Sequence, residues 1–306
     1  MKKRALTLFL ALTLIISTLT LTACKGSDTK SPGTSSEPVV IGSKDFTESI
    51  IIAEIYALAL EAAGVPVERK LQLGSSIIHD SIMNNEIDFY PEYTGTGLIS
   101  RLGAEPIYDP EECYQEVKKG YAEKFDITWF DHSNVNDAEG LAVSTAAAQK
   151  YSLETFSDAW AVADQLVLAG NGEFYEQPDI YNRLMEVYGK VDFKDTLTMD
   201  HTLSFTAAKN GEVDVFSVYT TEGSLAGGDF KVLKDDKQCW PPYYLTPIMR
   251  NDAIKAHPEV EAIVNKVTAT FTDENVTGMN AKVDVDGEDY SDVAADYFAT
   301  IKDSIK

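Results

Sequence analysis

Two α/β lobes joined by two chain crossings are the fold that the sequence predicts. Three observations point there. Short β-branched runs alternate with stretches of helical periodicity from residue 39 onward, the rhythm restarts near Leu141, and the C-terminal segment reads as a return to the first unit. In open α/β sheets, ligands bind beyond the carboxyl ends of the strands. In a two-lobed protein those ends face each other across a cleft, and closure hinges on the crossings.

Val39-Val40-Ile41 followed by Gly42 reads as a first strand. Asp45-Phe46-Thr47-Glu48 has the form of a capping box, with Asp45 as cap and Glu48 three residues on. Ile51, Ile55, Leu58 and Ala62 then recur at helical spacing, and Gly64 with Pro66 ends that helix. Val67 to Leu73 alternates as a second strand, Gly74-Ser75-Ser76 opens a second helix, and Phe89-Tyr90 begins a third strand. This order predicts a mainly parallel sheet. Pro110 to Phe125 is an amphipathic helix and Ile127 to Phe130 a strand. The second round comprises a strand at Leu141–Val143, helices at Ser157–Ala169, Tyr181–Tyr188 and Leu203–Asn210, and strands at Val213–Val218 and Val232–Leu233. A strand at Tyr244–Met249 and helices at Pro258–Phe271 and Tyr290–Ile305 follow. The expected division is 38–133 with 240–306 as one lobe and 134–239 as the other.

The first residues carry Lys2, Lys3 and Arg4, then an apolar stretch from Leu6 to Leu21, then Leu21-Thr22-Ala23-Cys24. A basic head, an apolar run and small residues before the cut make a secretory signal, expected over residues 1–23. The last four residues resemble the bacterial lipobox, which implies a lipidated Cys24 on the outer face of the cytoplasmic membrane. The Gly, Ser, Thr, Pro and Lys composition of residues 25–37 reads as a flexible tether. No later stretch reaches about 18 apolar residues.

The chain of 306 residues holds 49 acidic against 26 basic side chains, a formal charge of -23. Such a surface repels phosphate backbones and argues against a nucleic-acid partner. It also repels anionic lipid, so membrane attachment falls to the lipid anchor alone. His79, His132, His201 and His257 show no metal-ligand spacing, and Asp284, Asp286, Glu288 and Asp289 do not match a calcium loop. No nucleophile elbow, Cys/His pairing or phosphate-binding Gly-Lys loop is present, so no enzyme, no cofactor and no resident metal is expected. Cys113 and Cys239 are either a disulfide or two separate buried thiols.

Tyrosines cluster where strands should end. The segments are Tyr90-Pro91-Glu92-Tyr93-Thr94-Gly95-Thr96, Val218-Tyr219-Thr220-Thr221-Glu222-Gly223, Trp240-Pro241-Pro242-Tyr243-Tyr244 and Phe174-Tyr175. Flanking Pro and Gly hold the rings on rigid turns. Rings gathered around one point bind a desolvated cation, at about 0.5 to 2 kcal/mol per ring. Taken singly, each tyrosine is equally a packing residue.

Ser43-Lys44-Asp45-Phe46-Thr47-Glu48, the Tyr90–Thr96 run, Pro241-Pro242-Tyr243-Tyr244 with Pro247-Ile248, and Asn280 to Gly287 together resemble the substrate-binding lipoproteins of glycine betaine/carnitine/choline (osmoprotectant) ABC importers. The resemblance covers nearly all of Val39 to Lys306. It implies a type II periplasmic-binding-protein fold of the Venus-flytrap kind, a monomer that delivers a small cationic or zwitterionic solute to ABC permease subunits. It also implies ligand contacts from Tyr93, Tyr219 and Tyr243 as an aromatic cage, with Thr96 near the polar end of the ligand and Phe46 and Asn136 beside them.

Two departures stand out. Many members carry Gln where Ser49 stands here. Glu139 occupies the place of a fourth cage tyrosine, within Asn136-Asp137-Ala138-Glu139-Gly140-Leu141. A carboxylate there attracts a cation and accepts hydrogen bonds, which suits a ligand with N–H donors or a hydroxyl. Alternatively it faces solvent or a lobe–lobe cation, and Trp240 or Tyr175 fills the gap.

Overall fold

The computed structural model describes residues 37–177 and 180–305. The expected signal segment, Cys24 and all but the last residue of the tether lie outside the described residues.

The chain runs β1 (Val39–Lys44), α1 (Thr47–Ala62), β2 (Val67–Leu73), α2 (Ile78–Met83), β3 (Phe89–Tyr93), a π-helical turn (Thr96–Leu102), α3 (Pro110–Phe125) and β4 (Ile127–Trp129). It continues through β5 (Glu139–Ser144), α4 (Thr145–Tyr151), α5 (Phe156–Ala161), β6 (Val167–Gly170), α6 (Gly172–Glu176), α7 (Tyr181–Tyr188), β7 (Asp195–Thr198), α8 (His201–Lys209), β8 (Val215–Tyr219) and β9 (Phe230–Val232). It ends with β10 (Leu245–Arg250), α9 (Asn251–Ala256), α10 (Val260–Thr268), α11 (Asp273–Asp284) and α12 (Tyr290–Ile301).

These strands form two five-stranded sheets, ordered β2-β1-β3-β10-β4 and β7-β6-β8-β5-β9. Each sheet is mixed rather than mainly parallel. In the first, β1 runs parallel to β2 and β3, while β10 is antiparallel to β3 and β4. In the second, β6 is parallel to β7 and β8, while β5 is antiparallel to β8 and β9. The reason is topological: β5 and β10 are the strands by which the chain enters a lobe from the other one.

Helix α1 is apolar on almost every side because it lies between the first sheet and the C-terminal helices. Ile51, Ile55 and Tyr56 pack with Val264, Val267 and Phe271, and the Tyr56 and Thr268 hydroxyls share a hydrogen bond of 2.8 Å. The opposite face carries α3, which starts on the Asp109 cap (2.9 Å from Glu112 N) with Pro110 first in the helix. In the second sheet, Leu141 and Val143 point to the Phe156–Trp160 cluster, while Ala142 lies with Phe205, Phe216 and Val218 on the other face.

The two crossings lie side by side. Leu245 N donates to Val135 O at 3.0 Å, Ser133 N to Leu245 O at 2.9 Å and Asp137 N to Tyr243 O at 3.1 Å. The connection between the lobes is therefore a short antiparallel ribbon. No helix among the described residues is long and apolar enough to cross a membrane.

Several local expectations are corrected. The capping box does not form: Phe46 is the first residue before α1 and makes no side-chain cap, and Asp45 instead accepts from Ser75 N (3.3 Å) and Ser75 Oγ (2.9 Å). The Glu48 side chain turns away from the cap to the Tyr93 hydroxyl, at 2.6 Å. The helix expected over 157–169 stops at Ala161, and Val167–Gly170 is a strand between β7 and β8. Cys113 and Cys239 are separate buried thiols in different clusters, not a disulfide.

Candidate ligand-binding site

A cavity of about 470 Å³ lies between the two sheets. That volume is in the range of small-molecule sites. Tyr93 brings its ring from the carboxyl end of β3, Tyr219 from the carboxyl end of β8, and Tyr243 from the second crossing. Phe46, Thr96 and Glu139 line the same cavity.

The Gly and Pro residues around these tyrosines set their positions. A Cβ on Gly95 would lie 2.8 Å from both Pro242 O and Tyr243 Cε1, so only glycine lets the Tyr243 ring approach β3. Thr94 locks the two segments together, donating to Pro242 O and accepting from Tyr244 N, both at 3.0 Å. Tyr93 stands tilted against Phe46, with ring centroids 6.0 Å apart. Tyr219 is 39% exposed, so its ring is the one open to an incoming molecule.

Asn136 does not line this cavity. Its Oδ1 accepts from Tyr243 N at 2.7 Å, and it faces a neighbouring cavity of about 430 Å³ across the Trp240–Pro242 segment. Along the extended crossing Asp137 lines the tyrosine cavity, Asn136 its neighbour, and Glu139 both. Trp240 lines both cavities, whereas Tyr175 packs on Phe174 and Tyr181 in the second lobe and lines neither. Ser49, the other departure, is buried and accepts from Lys44 N at 2.9 Å.

Charge is unevenly distributed over the lining. The first lobe contributes Lys44, whose ammonium pairs with the buried Glu92 carboxylate and sits 4.9 Å from the Tyr93 centroid. The second-lobe wall, with the crossing beside it, contributes Asp137, Glu139 and Glu173. Burial raises the Glu139 carboxyl to about 7, opposed by the nearby His201 and reinforced by Glu173 and Glu222. His201 is held by Glu222 (2.8 Å), whose hydrogen bond raises the imidazole above its ordinary range. Glu48 and Asp137 are both raised, chiefly by burial, with their mutual repulsion adding to the effect on Glu48.

Lys44, Asp137, Glu173 and Tyr108 are lining residues that sequence reasoning missed. Lys44 lay inside the Ser43–Glu48 motif, so position marked it even though its chemistry did not. Among the described residues no group of His, Cys, Asp and Glu is arranged to hold a metal ion.

The substrate-binding domain of ABC-type glycine betaine transport systems, the OpuAC family, matches residues 37–300. The chain belongs to this family. It is 34% identical over 301 residues to the carnitine transport binding protein OpuCC of Listeria monocytogenes, covering 97% of this chain and 96% of that protein. It is 30% identical over 263 residues to the ergothioneine transport permease/ergothioneine binding protein EgtU of Helicobacter pylori, covering 85% of this chain and 47% of that longer protein. A crystal structure of a glycine betaine/carnitine/choline ABC transporter protein superposes with a TM-score of 0.82 at 30% identity, covering 86% of this chain and 98% of that one.

OpuAC membership makes the two sheets a type II periplasmic-binding-protein fold. It makes the chain an extracytoplasmic substrate-binding protein of an osmoprotectant ABC importer and not an enzyme. Its partners are a small solute and the permease of that importer.

Proposed function

We propose that this protein captures a small quaternary-ammonium compound such as glycine betaine, choline or carnitine between its lobes and hands it to the permease. One observation carries the reading. Tyr93, Tyr219 and Tyr243 come from three separate segments and line one cavity, joined by Phe46 and Trp240. A methylated ammonium has no N–H to donate, so aromatic faces hold it better than hydrogen-bond acceptors do. Asp137, Glu139 and Glu173 add Coulomb attraction on the same wall. A zwitterion fits with its carboxylate toward Lys44 and Thr96 and its ammonium toward Tyr219. The protein works as a monomer, held to the membrane by lipid on Cys24.

Calorimetry of the ligand-free protein against these three solutes tests the reading. Micromolar binding of at least one is expected. No heat with any of them, from protein shown to be folded by circular dichroism, overturns it.

Glu139 favours a second reading, a cationic solute that also bears an N–H or O–H donor. The carboxyl lines the cavity beside Tyr219. The similarity to an ergothioneine-binding protein is in keeping with this. Substituting Glu139→Tyr separates the two: a gain in glycine betaine affinity supports selection by Glu139, and no change sinks it.

A further inference from the structure

Behind Tyr93 lies a buried carboxylate with no cation beside it. Glu48, in the first turn of α1, is 3% exposed, and among the described residues it forms no ion pair. A polar group buried here without an ion pair costs free energy whether or not it is ionised, so packing alone would place an apolar side chain there. Both of its oxygens are used. Oε1 accepts from the Tyr93 hydroxyl at 2.6 Å, and Oε2 accepts from Asn280 Nδ2 at 3.1 Å.

Asn280 carries the connection onward. It is 5% exposed on α11, which packs on α1 within the first lobe, and its Nδ2 also donates to Thr221 O at 2.9 Å. Thr221 lies two residues beyond Tyr219, where the chain leaves β8 of the second lobe, and its own hydroxyl donates to Asp137 Oδ1 at 2.9 Å. Asn280 Oδ1 is buried without a partner. The amide cannot turn over to satisfy it, because Oδ1 would then face two acceptors, the Glu48 carboxylate and the Thr221 carbonyl. The backbones also fit closely at this point. A Cβ on Gly223 would come within 2.7 Å of Ala281 N and 2.9 Å of Asn280 C.

We propose that Glu48 and Asn280 are positioning residues that tie the Tyr93 ring on one wall of the cavity to the Thr221 backbone on the other, so that the aromatic wall is completed only when the lobes are seated together. The proposal rests on the reading of the tyrosines as the ligand's contacts. Glu48 does not line the tyrosine cavity; it fixes where the Tyr93 hydroxyl points. Gln at position 48 can keep both links, its carbonyl accepting from Asn280 and its NH2 donating to the Tyr93 oxygen. Leu at position 48 has no polar atom, so both links are lost.

The test uses the full chain with Glu48→Leu, Asn280→Ala and Tyr93→Phe, each with fluorotyrosine at Tyr93 where that residue is kept. Without ligand, amide hydrogen exchange over residues 220–226 is expected to accelerate in Glu48→Leu and Asn280→Ala but not in Tyr93→Phe, with exchange in the β1–β3 core unchanged. The fluorine NMR line of Tyr93 is expected to shift or split in Glu48→Leu. Affinity for the best of glycine betaine, choline and carnitine is expected to fall about tenfold in Glu48→Leu, and by no more when Tyr93→Phe is added. Wild-type exchange over 220–226 together with an unmoved fluorine line overturns the proposal, as do losses of affinity that multiply in the double variant. If none of the three solutes binds the wild-type protein, the functional reading fails, and the exchange and fluorine results still decide whether the link between the lobes exists.

Discussion

Glu139 and Tyr219 stand directly opposite each other on the antiparallel β5–β8 pair, at the end of the sheet that faces the cavity. Facing residues on such a pair bring their Cβ atoms to about 5 Å, so the carboxyl and the phenol form one surface. Asp137 precedes β5 on the same side, and His201 lies tilted against Tyr219 with centroids 5.6 Å apart. A cation over Tyr219 therefore also meets carboxylates, and its binding depends on their ionisation.

Affinity and stability should move in opposite directions with pH. Glu139 is raised to about 7 by burial, so a bound cation favours its ionised form, and affinity for choline should rise as pH rises through about 7. Below that value the loss approaches about tenfold per pH unit. For folding the sign reverses. A carboxyl raised in the folded state stabilises it below the ordinary carboxylate range, and that contribution is lost as pH climbs through the folded value. Ligand-free protein should therefore unfold at a lower temperature at about pH 8 than at about pH 5.5, with Glu139 contributing at most roughly 2 kcal/mol, and less once solvent at the cavity mouth is allowed for. Calorimetric titration and scanning calorimetry on wild type and Glu139→Gln check both signs, and the variant should be flatter in each.

Tyr93 and Tyr219 should not cost the same when truncated. Tyr219→Ala should weaken binding about 2- to 30-fold, one ring's worth of cation–π attraction, with little change in melting temperature because the ring is half exposed. Tyr93→Ala should lose comparable affinity and in addition destabilise the fold by about 3 kcal/mol or more, since the ring is 3% exposed and packed in the first-lobe core. Equal stability loss in the two variants would contradict this placement.

Gly95→Ala is expected to act through Tyr243. The added methyl meets Pro242 O and the Tyr243 ring at 2.8 Å, so the second crossing must shift away from β3. About tenfold weaker binding is expected with a stability loss of about 1–3 kcal/mol, the range for overpacking. Unaltered affinity in a titration of this variant would show that Tyr243 does not contact the ligand.

Lys44→Met should be among the most damaging single changes in the first lobe. Lys44 is the ammonium paired with Glu92, which is 0% exposed and also accepts from Tyr90 Oη (3.0 Å) and Tyr93 N (2.9 Å). Removing one partner leaves a buried charge unopposed, at a cost of about 3–5 kcal/mol. Chemical denaturation would reveal it, and Lys44→Met with Glu92→Gln should recover part of the loss.

Helices α1 and α3 and strand β2 could be located in the sequence because periodicity, proline and glycine agreed there. Strand β6 could not, because Leu166 to Ala169 is a short apolar run directly after a helix and reads equally as its last turn. β7 and α11 were missed for the opposite reason: Asp195–Thr198 is mostly exposed, and Asp273–Asp284 carries few apolar residues. In the site, tyrosines flanked by Gly and Pro announced themselves, and Glu139 was flagged by its place in a familiar run. Lys44 and Asp137 were not, since a single Lys or Asp reads as solvated surface until pairing and the path of the crossing bring it inward. Asn136 was one residue out of phase on an extended segment, which sends it to the other face.

The location of β10 also bears on how the chain is made. It lies between β3 and β4, yet it follows the whole second lobe in the sequence. Until residue 250 has been synthesised, β3 and β4 are both open edges, while residues 139–232 already hold every strand of their own sheet. Long-range pairings of this kind form slowly. The first sheet is thus the last to close, its centre waiting on a strand made after the whole of its neighbour.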